Sequence, residues 1–339
     1  MDCRLWPDRE DCAAVRSLAL IVPLLLFFAV ADTLLSHDRT VGWERNTVRN
    51  ALARQATNKT SGVVLLGSST SADWLPVALL ARLTRHRATD VLDAHINGCH
   101  QPCTYAEVRG LLARERNFDL AFFGTSLFQA CEYRHSKRQL QDALLLPTSD
   151  TARLFANYAH ASEPLDYMAR YLASLTSGAY GDTEVLQDGW RRSLFGAPTA
   201  KSWTWSSTVA PPSPPISSCD FTDEAIAYKL AVTAALLDDL GRLSKHTVLM
   251  LLPDATLSDP SPVHVERWIR FRQTHEALVS GRSWVTLLDL STDAAADTAK
   301  DTFAHRPEHF RDGIHLSPAG MKLQQALLEK KLAASGVVP

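Results

Sequence analysis

Five short apolar runs, most of them followed by turn-forming residues, constrain the fold of this chain more than any other feature of its sequence. These runs are Gly62–Leu66, Val91–Ala94, Phe118–Phe123, Thr247–Leu252 and Trp284–Leu290. Continuous apolar runs of this length are typical of strands buried on both faces, as they are in parallel sheets. Strands that alternate with helices predict an α/β protein, a three-layer α/β/α sandwich around a five-stranded parallel sheet of flavodoxin-like form.

Helical periodicity occurs in the segments that flank these runs. Helices are predicted at Leu75–Leu83, Tyr105–Glu115, Asp223–Leu243, Val263–Val279 and Met321–Ala333. Residues 132–220 interrupt the alternation with a Trp-rich stretch, Trp190–Trp205, and a Pro-rich stretch, Pro211–Pro215. A chain of 339 residues that is 46% hydrophobic can bury one sizeable core. We therefore interpret residues 62–335 as one domain in which residues 132–220 form a lid or insertion.

The N-terminal region contains an uncharged apolar stretch, Ser17–Ala31. This stretch is short for a bilayer span of roughly 20 residues, and it fits a signal-anchor if Asp32 lies at the membrane interface. It also fits the apolar region of a signal peptide, with Ala29–Ala31 as the A-x-A cleavage sequence, while a buried core helix is the third interpretation. Residues 1–36 are predicted to be a signal-anchor or signal peptide and residues 37–61 a connector. Both interpretations place the domain outside the cytoplasm, either anchored to the membrane or secreted after cleavage.

The net charge and the cysteine content bear on which partners and cofactors the chain can have. The net charge is −2, so the chain lacks the basic surface that nucleic-acid binding requires. Four cysteines follow the apolar stretch, namely Cys99, Cys103, Cys131 and Cys219. In an exported domain they permit two disulfides, with three pairings open. The Cys99–Cys103 spacing also suits a metal, but no second close Cys/His pair supports a zinc site, and we expect neither a metal nor an organic cofactor.

Chemically active residues follow several of the predicted strands. They lie in the segments Gly67–Ser69, Asn97–Gly98 and Gly124–Ser126, and in the C-terminal sequence RDGIHLSPAG, which contains Asp312 and His315. In open parallel sheets, ligands bind beyond the carboxyl ends of the strands. The sequence therefore predicts one functional site at this edge of the sheet.

A serine, a histidine and an aspartate from these segments predict acyl chemistry. The hydroxyl of Ser69 is a weak nucleophile until a base removes its proton, and His315 can act as that base near neutral pH. Asp312, three residues earlier, can hold the other ring nitrogen and stabilise the imidazolium. Ser68 and Ser71 are the alternative nucleophiles.

The negative charge that develops on the substrate oxygen needs hydrogen-bond donors. Backbone N–H groups at Ser69 and Gly98 can supply two of them, because glycine permits close approach of the substrate. A side-chain donor is predicted from the loop after the third strand, either the hydroxyl of Ser126 or the amide of Gln129.

Four blocks of the sequence resemble the SGNH (GDSL-like) hydrolases. The blocks are Gly67–Ser69, Asp93–Gly98, Gly124–Leu127 and Asp312–Gly320, spread over residues 63–330 with the lid region unmatched. The first is written GSS, as in membrane-anchored members of the family. The resemblance implies an SGNH fold, with Ser69 as the nucleophile, Gly98 as an oxyanion donor, and Asp312 and His315 as the other members of the triad.

The chain departs from the family pattern at one position. Ser126 stands where the family has its oxyanion asparagine, and a hydroxyl reaches less far than an amide. Losing one oxyanion donor can raise the barrier by about 3–4 kcal/mol. Either Ser126 or Gln129 substitutes for the asparagine, or the protein is slow, or it is no longer an enzyme.

Two functions of different class follow. The first is an exported serine ester hydrolase or O-acyltransferase that acts on acylated carbohydrate or a small ester, depending on whether water or a sugar hydroxyl attacks the acyl-enzyme. The membrane-anchored branch resembles proteins that transfer acyl groups to cell-wall polymers and exopolysaccharides, which implies a membrane-bound O-acyltransferase as partner. The alternative, favoured by Ser126, is a non-catalytic SGNH-like glycan-binding or assembly protein.

Overall fold

A computed structural model of the chain describes residues 62–96, 101–131, 224–254, 262–292, 306–311 and 315–338, together with Pro23, Leu26 and Val30. The predicted connector at 37–61 and the predicted lid at 132–220 lie outside these residues, as does the predicted signal-anchor or signal peptide apart from the three N-terminal positions. In the described part of the chain, no helix is long and apolar enough to cross a membrane.

Five parallel strands form one sheet, in the order β2-β1-β3-β4-β5. The strands are β1 (Val63–Leu66), β2 (Val91–Asp93), β3 (Phe118–Ser126), β4 (Ser244–Leu252) and β5 (Val285–Asp289). This is the strand order of the flavodoxin-like doubly wound sheet, in which the order reverses beside β1. The predicted five-stranded parallel sheet is therefore confirmed.

Seven α-helices accompany the sheet among the described residues. They are α1 (Ser69–Trp74), α2 (Val77–Leu83), α3 (Gln101–Leu112), α4 (Leu127–Cys131), α5 (Glu224–Leu243), α6 (Pro262–Val279) and α7 (Pro318–Ser335). The last three agree with the predicted helices to within a few residues at each end. The helix predicted at Leu75–Leu83 starts later, at Val77, because Leu75 precedes a proline and adopts φ −125° and ψ 66°, outside the α region.

Side chains that alternate along the strands pack into two separate cores. Val64 and Leu66 of β1 face a cluster that includes Tyr105 of α3 and Leu236 of α5. Val63 and Leu65, with their Cβ atoms on the opposite side of the strand, face a cluster formed with α1, α2 and α7. The sheet is thus covered on both faces, which explains why its strands are apolar throughout rather than alternating.

The carboxyl edge of the sheet is built where β1, β2 and β3 end. The chain beyond β2 continues beside β1, because the amide of Ile96 donates to the carbonyl oxygen of Gly67 at 3.0 Å. Gly124, Thr125 and Ser126, predicted as a loop, instead belong to β3 and pair with Met250–Leu252 of β4. This extension brings Ser126 to the same edge as the end of β1.

Candidate active site

A sharp turn between β1 and α1 presents Ser69 at this edge. Gly67 has φ +133°, a conformation that L-residues with a side chain rarely adopt, and a Cβ atom added there would lie 2.3 Å from Ser71 Oγ. Only glycine therefore allows the strand to turn so closely onto the helix. The turn makes Ser69 the first residue of α1 and leaves its side chain partly exposed.

The hydroxyl of Ser69 lies against the imidazole of His315. The distance from Ser69 Oγ to His315 Nε2 is 3.0 Å, although 246 residues separate the two in the sequence. When Nε2 is the unprotonated ring nitrogen, it accepts the hydroxyl proton. The structure thus brings together the predicted nucleophile and the predicted base at hydrogen-bond distance, and their catalytic roles stay predictions.

A short turn anchored in the core carries His315. Phe310 and Leu316 form an antiparallel bridge, and both are buried in the core beneath α7. The amide of Arg311 donates to the carbonyl oxygen of His315 at 2.9 Å. Because the neighbouring residue Leu316 is fixed in the core, the imidazole has a defined position above the sheet edge.

Asp73 joins this turn to the helix that carries Ser69. Its Oδ2 accepts from the amide of Leu316 at 3.3 Å and from Nη2 of Arg311 at 3.1 Å. Asp73 is one helical turn beyond Ser69, so the two side chains lie on the same face of α1. Sequence analysis did not identify this contact, because nothing in the spacing of Asp73 and Arg311 indicates that they meet.

Two of the predicted site residues are not described. Asp312, the predicted third member of the triad, and Gly98, a predicted oxyanion donor, both lie outside the described residues. Their roles therefore stay predictions from the sequence and from the resemblance.

The two side chains that were predicted as oxyanion donors, Ser126 and Gln129, contact each other. Ser126 Oγ accepts from the backbone N–H of Gln129 at 3.2 Å, and the backbone N–H of Ser126 donates to Gln129 Oε1 at 3.3 Å. Gln129 Nε2 donates to Ser68 Oγ at 2.5 Å and to Thr70 Oγ1 at 3.0 Å. An amide nitrogen carries two hydrogens, so both donors of Gln129 are committed to the residues that flank Ser69. Gln129 therefore holds the turn that carries Ser69, and neither hydrogen of its side-chain amide remains for another acceptor.

A second aspartate–histidine pair lies where β2 ends, with Asp93 as the last residue of the strand and His95 in the loop after it. His95 Nδ1 bonds Asp93 Oδ1 at 2.7 Å, and this hydrogen bond lowers the pKa of the Asp93 carboxyl. The His95 side chain is only 4% exposed, and its Nε2 has no hydrogen-bond partner within the described ranges. Sequence analysis gave His95 no role, although the Asp-x-His spacing is compatible with such a local hydrogen bond.

The described residues contain no group of three or more metal-ligating side chains arranged to hold an ion. The site is instead a hydroxyl–imidazole pair surrounded by short polar side chains, an arrangement suited to proton transfer and nucleophilic attack.

Comparisons with known proteins give little beyond this geometry. No protein-family model matches the chain, and no curated protein matches it either. One solved structure, provisionally described as a platelet activating factor from Streptococcus pneumonia, is similar at 13% sequence identity and a TM-score of 0.40. That match covers 90% of this chain and 99% of the other. A similarity this distant carries no argument about substrate or residues.

Proposed function

We propose that this chain is an exported serine ester hydrolase or O-acyltransferase of the SGNH type that acts on acylated carbohydrate or a small ester. The observation that carries the proposal is the 3.0 Å contact between Ser69 Oγ and His315 Nε2 at the carboxyl edge of the sheet. Ligands bind at this edge in doubly wound folds, and a partly exposed serine bonded to a histidine is the arrangement from which an acyl-enzyme forms.

In the proposed reaction, His315 removes the proton of Ser69 as Oγ attacks the carbonyl carbon of the ester. The new Oγ–C bond pushes the C=O π electrons onto the carbonyl oxygen, which becomes an oxyanion. When this tetrahedral intermediate collapses, the ester C–O bond breaks and the departing alkoxide takes the proton from His315. Water or a sugar hydroxyl, deprotonated by the same imidazole, then attacks the acyl carbon. The bond between that carbon and Ser69 Oγ breaks, and Oγ takes the proton back from His315, which restores the free serine.

The remaining members of the site are assigned from the sequence and from the resemblance to SGNH hydrolases. Asp312 orients the imidazole and stabilises its protonated form. The N–H groups of Ser69 and Gly98 donate to the oxyanion. No metal or organic cofactor takes part in this scheme.

The proposed location is the outer side of a membrane, with residues 1–36 as the anchor and a membrane-bound O-acyltransferase as the partner that delivers or receives the acyl group. Resistance of the full chain to carbonate extraction from membranes tests the anchor, and release of a shortened chain would favour the cleaved, secreted form.

The proposed activity is tested with the full chain in detergent, using a fluorophosphonate probe and p-nitrophenyl acetate. We expect Ser69-dependent labelling and turnover, with both abolished in Ser69→Ala. Ser71→Ala is the matched comparison, because Ser71 is the neighbouring serine on α1 and bonds the carbonyl of Gly124 instead of a histidine. Labelling that survives in Ser69→Ala but disappears in Ser71→Ala would move the nucleophile to Ser71.

A second candidate function rests on Ser126. With serine at the asparagine position, a glycan-binding or assembly protein that kept the fold and lost catalysis is the alternative. A full chain that is folded by circular dichroism, is not labelled, and binds acylated polysaccharide in calorimetry would establish it.

A further inference from the structure

Ser68 and Thr70, on either side of the nucleophile, form a buried cluster with Gln129. Ser68 Oγ and Thr70 Oγ1 are 2.7 Å apart, and Gln129 Nε2 contacts both. Each of the two hydroxyl-bearing residues is only 4% exposed. The cluster connects the nucleophile turn to the end of β3, the side of the site from which an SGNH hydrolase takes its oxyanion asparagine.

The orientation of the Gln129 side-chain amide follows from its contact with the backbone N–H of Ser126. The amide of Ser126 can only donate, so the Gln129 atom it meets at 3.3 Å is the acceptor Oε1. Reversing the amide would place two donors against each other at Ser126. The nitrogen of Gln129 therefore faces Ser68 and Thr70.

The cluster contains one hydrogen more than its hydrogen bonds use. The two hydroxyls and the amide nitrogen carry four hydrogens, whereas three contacts join the groups. Both amide hydrogens are donated to the hydroxyl oxygens, and one hydroxyl donates to the other. The last hydroxyl hydrogen has no acceptor in the described part of the chain. A donor that is buried and unsatisfied is costly, which indicates that the cluster is completed by an acceptor other than the described residues.

We infer that this surplus hydroxyl hydrogen of the Ser68–Thr70 pair is the side-chain donor to the oxyanion formed at Ser69. The inference rests on the proposed function, since it assigns a donor for the same acyl transfer. As Ser69 Oγ attacks and the C=O π electrons move to oxygen, that oxygen becomes the acceptor the cluster lacks. Gln129 acts as a positioning residue: its two committed hydrogens leave the hydroxyl pair with one proton to donate.

The contacts of Ser126 make it a less direct donor. The Ser126 hydroxyl also keeps a proton, but its oxygen accepts from the backbone N–H of Gln129. Ser126 is hydrogen-bonded to Gln129, and it is Gln129 that contacts the nucleophile turn, through Ser68. The role of the family's asparagine thus passes from the β3 position to the residues flanking the nucleophile.

The test compares kcat and KM for p-nitrophenyl acetate in variants of the full chain. Removing either hydroxyl alone leaves the other with a free proton, so Ser68→Ala and Thr70→Val singly are expected to be milder than the pair. The double variant S68A/T70V is expected to lower kcat by about 10²–10³-fold with KM within about threefold. Thr70→Ser, which keeps the hydroxyl, is expected to retain most of the rate.

Gln129→Glu tests whether the rate depends on a free hydroxyl proton or only on the presence of the two hydroxyls. A carboxylate oxygen in place of Nε2 accepts both hydroxyl protons, so no proton remains for the substrate, and kcat is expected to fall although both hydroxyls are intact. Thr84→Val is the matched control, because Thr84 is equally buried and its hydroxyl only bonds the carbonyl oxygen of Leu80 in α2.

Three results would overturn the inference. If S68A/T70V keeps kcat within about threefold of the wild type, or if Ser126→Ala alone produces the full loss, the donor lies elsewhere while the proposed function stands. A wild-type chain without Ser69-dependent labelling or turnover would overturn the proposed function and the donor role with it. Circular dichroism and denaturant midpoints equal to those of Thr84→Val show that a loss of rate in the double variant is not a loss of fold.

Discussion

Gly67 determines, at the scale of a single residue, whether Ser69 can face His315, the proposed base. We expect Gly67→Ala to abolish Ser69-dependent turnover and to destabilise the protein, because an alanine at φ +133° is strained and its Cβ would meet Ser71 Oγ at 2.3 Å. The strained backbone alone accounts for roughly 1–3 kcal/mol. Urea unfolding and p-nitrophenyl acetate turnover measure the two effects.

A second glycine supplies the control for this substitution. Gly281 also has a positive φ, +81°, but no heavy atom lies within 4 Å of an added Cβ. Gly281→Ala should therefore show backbone strain without loss of turnover. Wild-type turnover in Gly67→Ala would contradict the account of the turn.

Single residues also show how far the sequence could predict the site. Ser69 and His315 were predicted from their motifs, and the structure places them in contact. The contacts of Gln129 could not be predicted, because they depend on a side-chain rotamer that only the packed β3–α4 junction determines. The contacts of Asp73 could not be predicted either, because its two partners come from a turn more than 230 residues away in the sequence.

At the scale of elements, α1 holds both Ser69, the proposed nucleophile, and Asp73, which contacts the turn of the proposed base. We expect Asp73→Ala to lower kcat by roughly 10–100-fold, because the turn that carries His315 loses two hydrogen bonds and a shift of about 1 Å at a catalytic group can cost about 10²-fold. Asp73→Asn, which keeps an acceptor oxygen, should lose less. The measurement is kcat and KM for p-nitrophenyl acetate in the wild type and in the two Asp73 variants.

Asp90 gives the matched control for Asp73. It pairs with Arg87 at 3.0 Å on the surface, away from the site, so Asp90→Ala should leave turnover unchanged. If Asp73→Ala is as active as Asp90→Ala, the turn is held by its core residues alone and Asp73 does not position His315.

The boundaries of elements near the site were the least predictable part of the fold. Gly124–Ser126 has the composition of a loop but forms the end of β3, because β4 extends as far and pairs with it to Leu252. Gly124 itself is required by packing, since an added Cβ would lie 2.7 Å from Leu252 and 2.8 Å from Ser71 Oγ. Tertiary pairing overrides local turn propensity here.

For the whole molecule, apolar runs alternating with helical segments were sufficient to predict the layered α/β fold. Each parallel strand needs a crossover connection, and each crossover covers one face of the sheet, so the alternation leaves few arrangements open. That same topology brings the ends of β1, β2 and β3 together, which is why residues far apart in the sequence could be assigned to one site.

Stability of the whole domain should depend on pH through a histidine that is not one of the proposed site residues. His275 on α6 is buried against Phe271, and burial lowers its pKa from the ordinary 6.5 to about 4. Below pH 6.5 the unfolded chain binds a proton here that the folded chain does not, so the free energy of unfolding falls as the pH drops from 6.5 towards 4. The full loss is roughly 3 kcal/mol.

Replacing this histidine with a residue that does not titrate should remove that part of the pH dependence. Between pH 7.5 and pH 5.5 we expect the wild type to lose about 1 kcal/mol more unfolding free energy than His275→Gln, whose amide can still donate to the carbonyl oxygen of Phe271. His246→Gln is the comparison, because burial also lowers the pKa of His246 although its side chain is only partly buried. Urea midpoints at the two pH values give the measurement. Parallel pH dependence in wild type and His275→Gln would mean that the buried ring gains its proton without unfolding the domain.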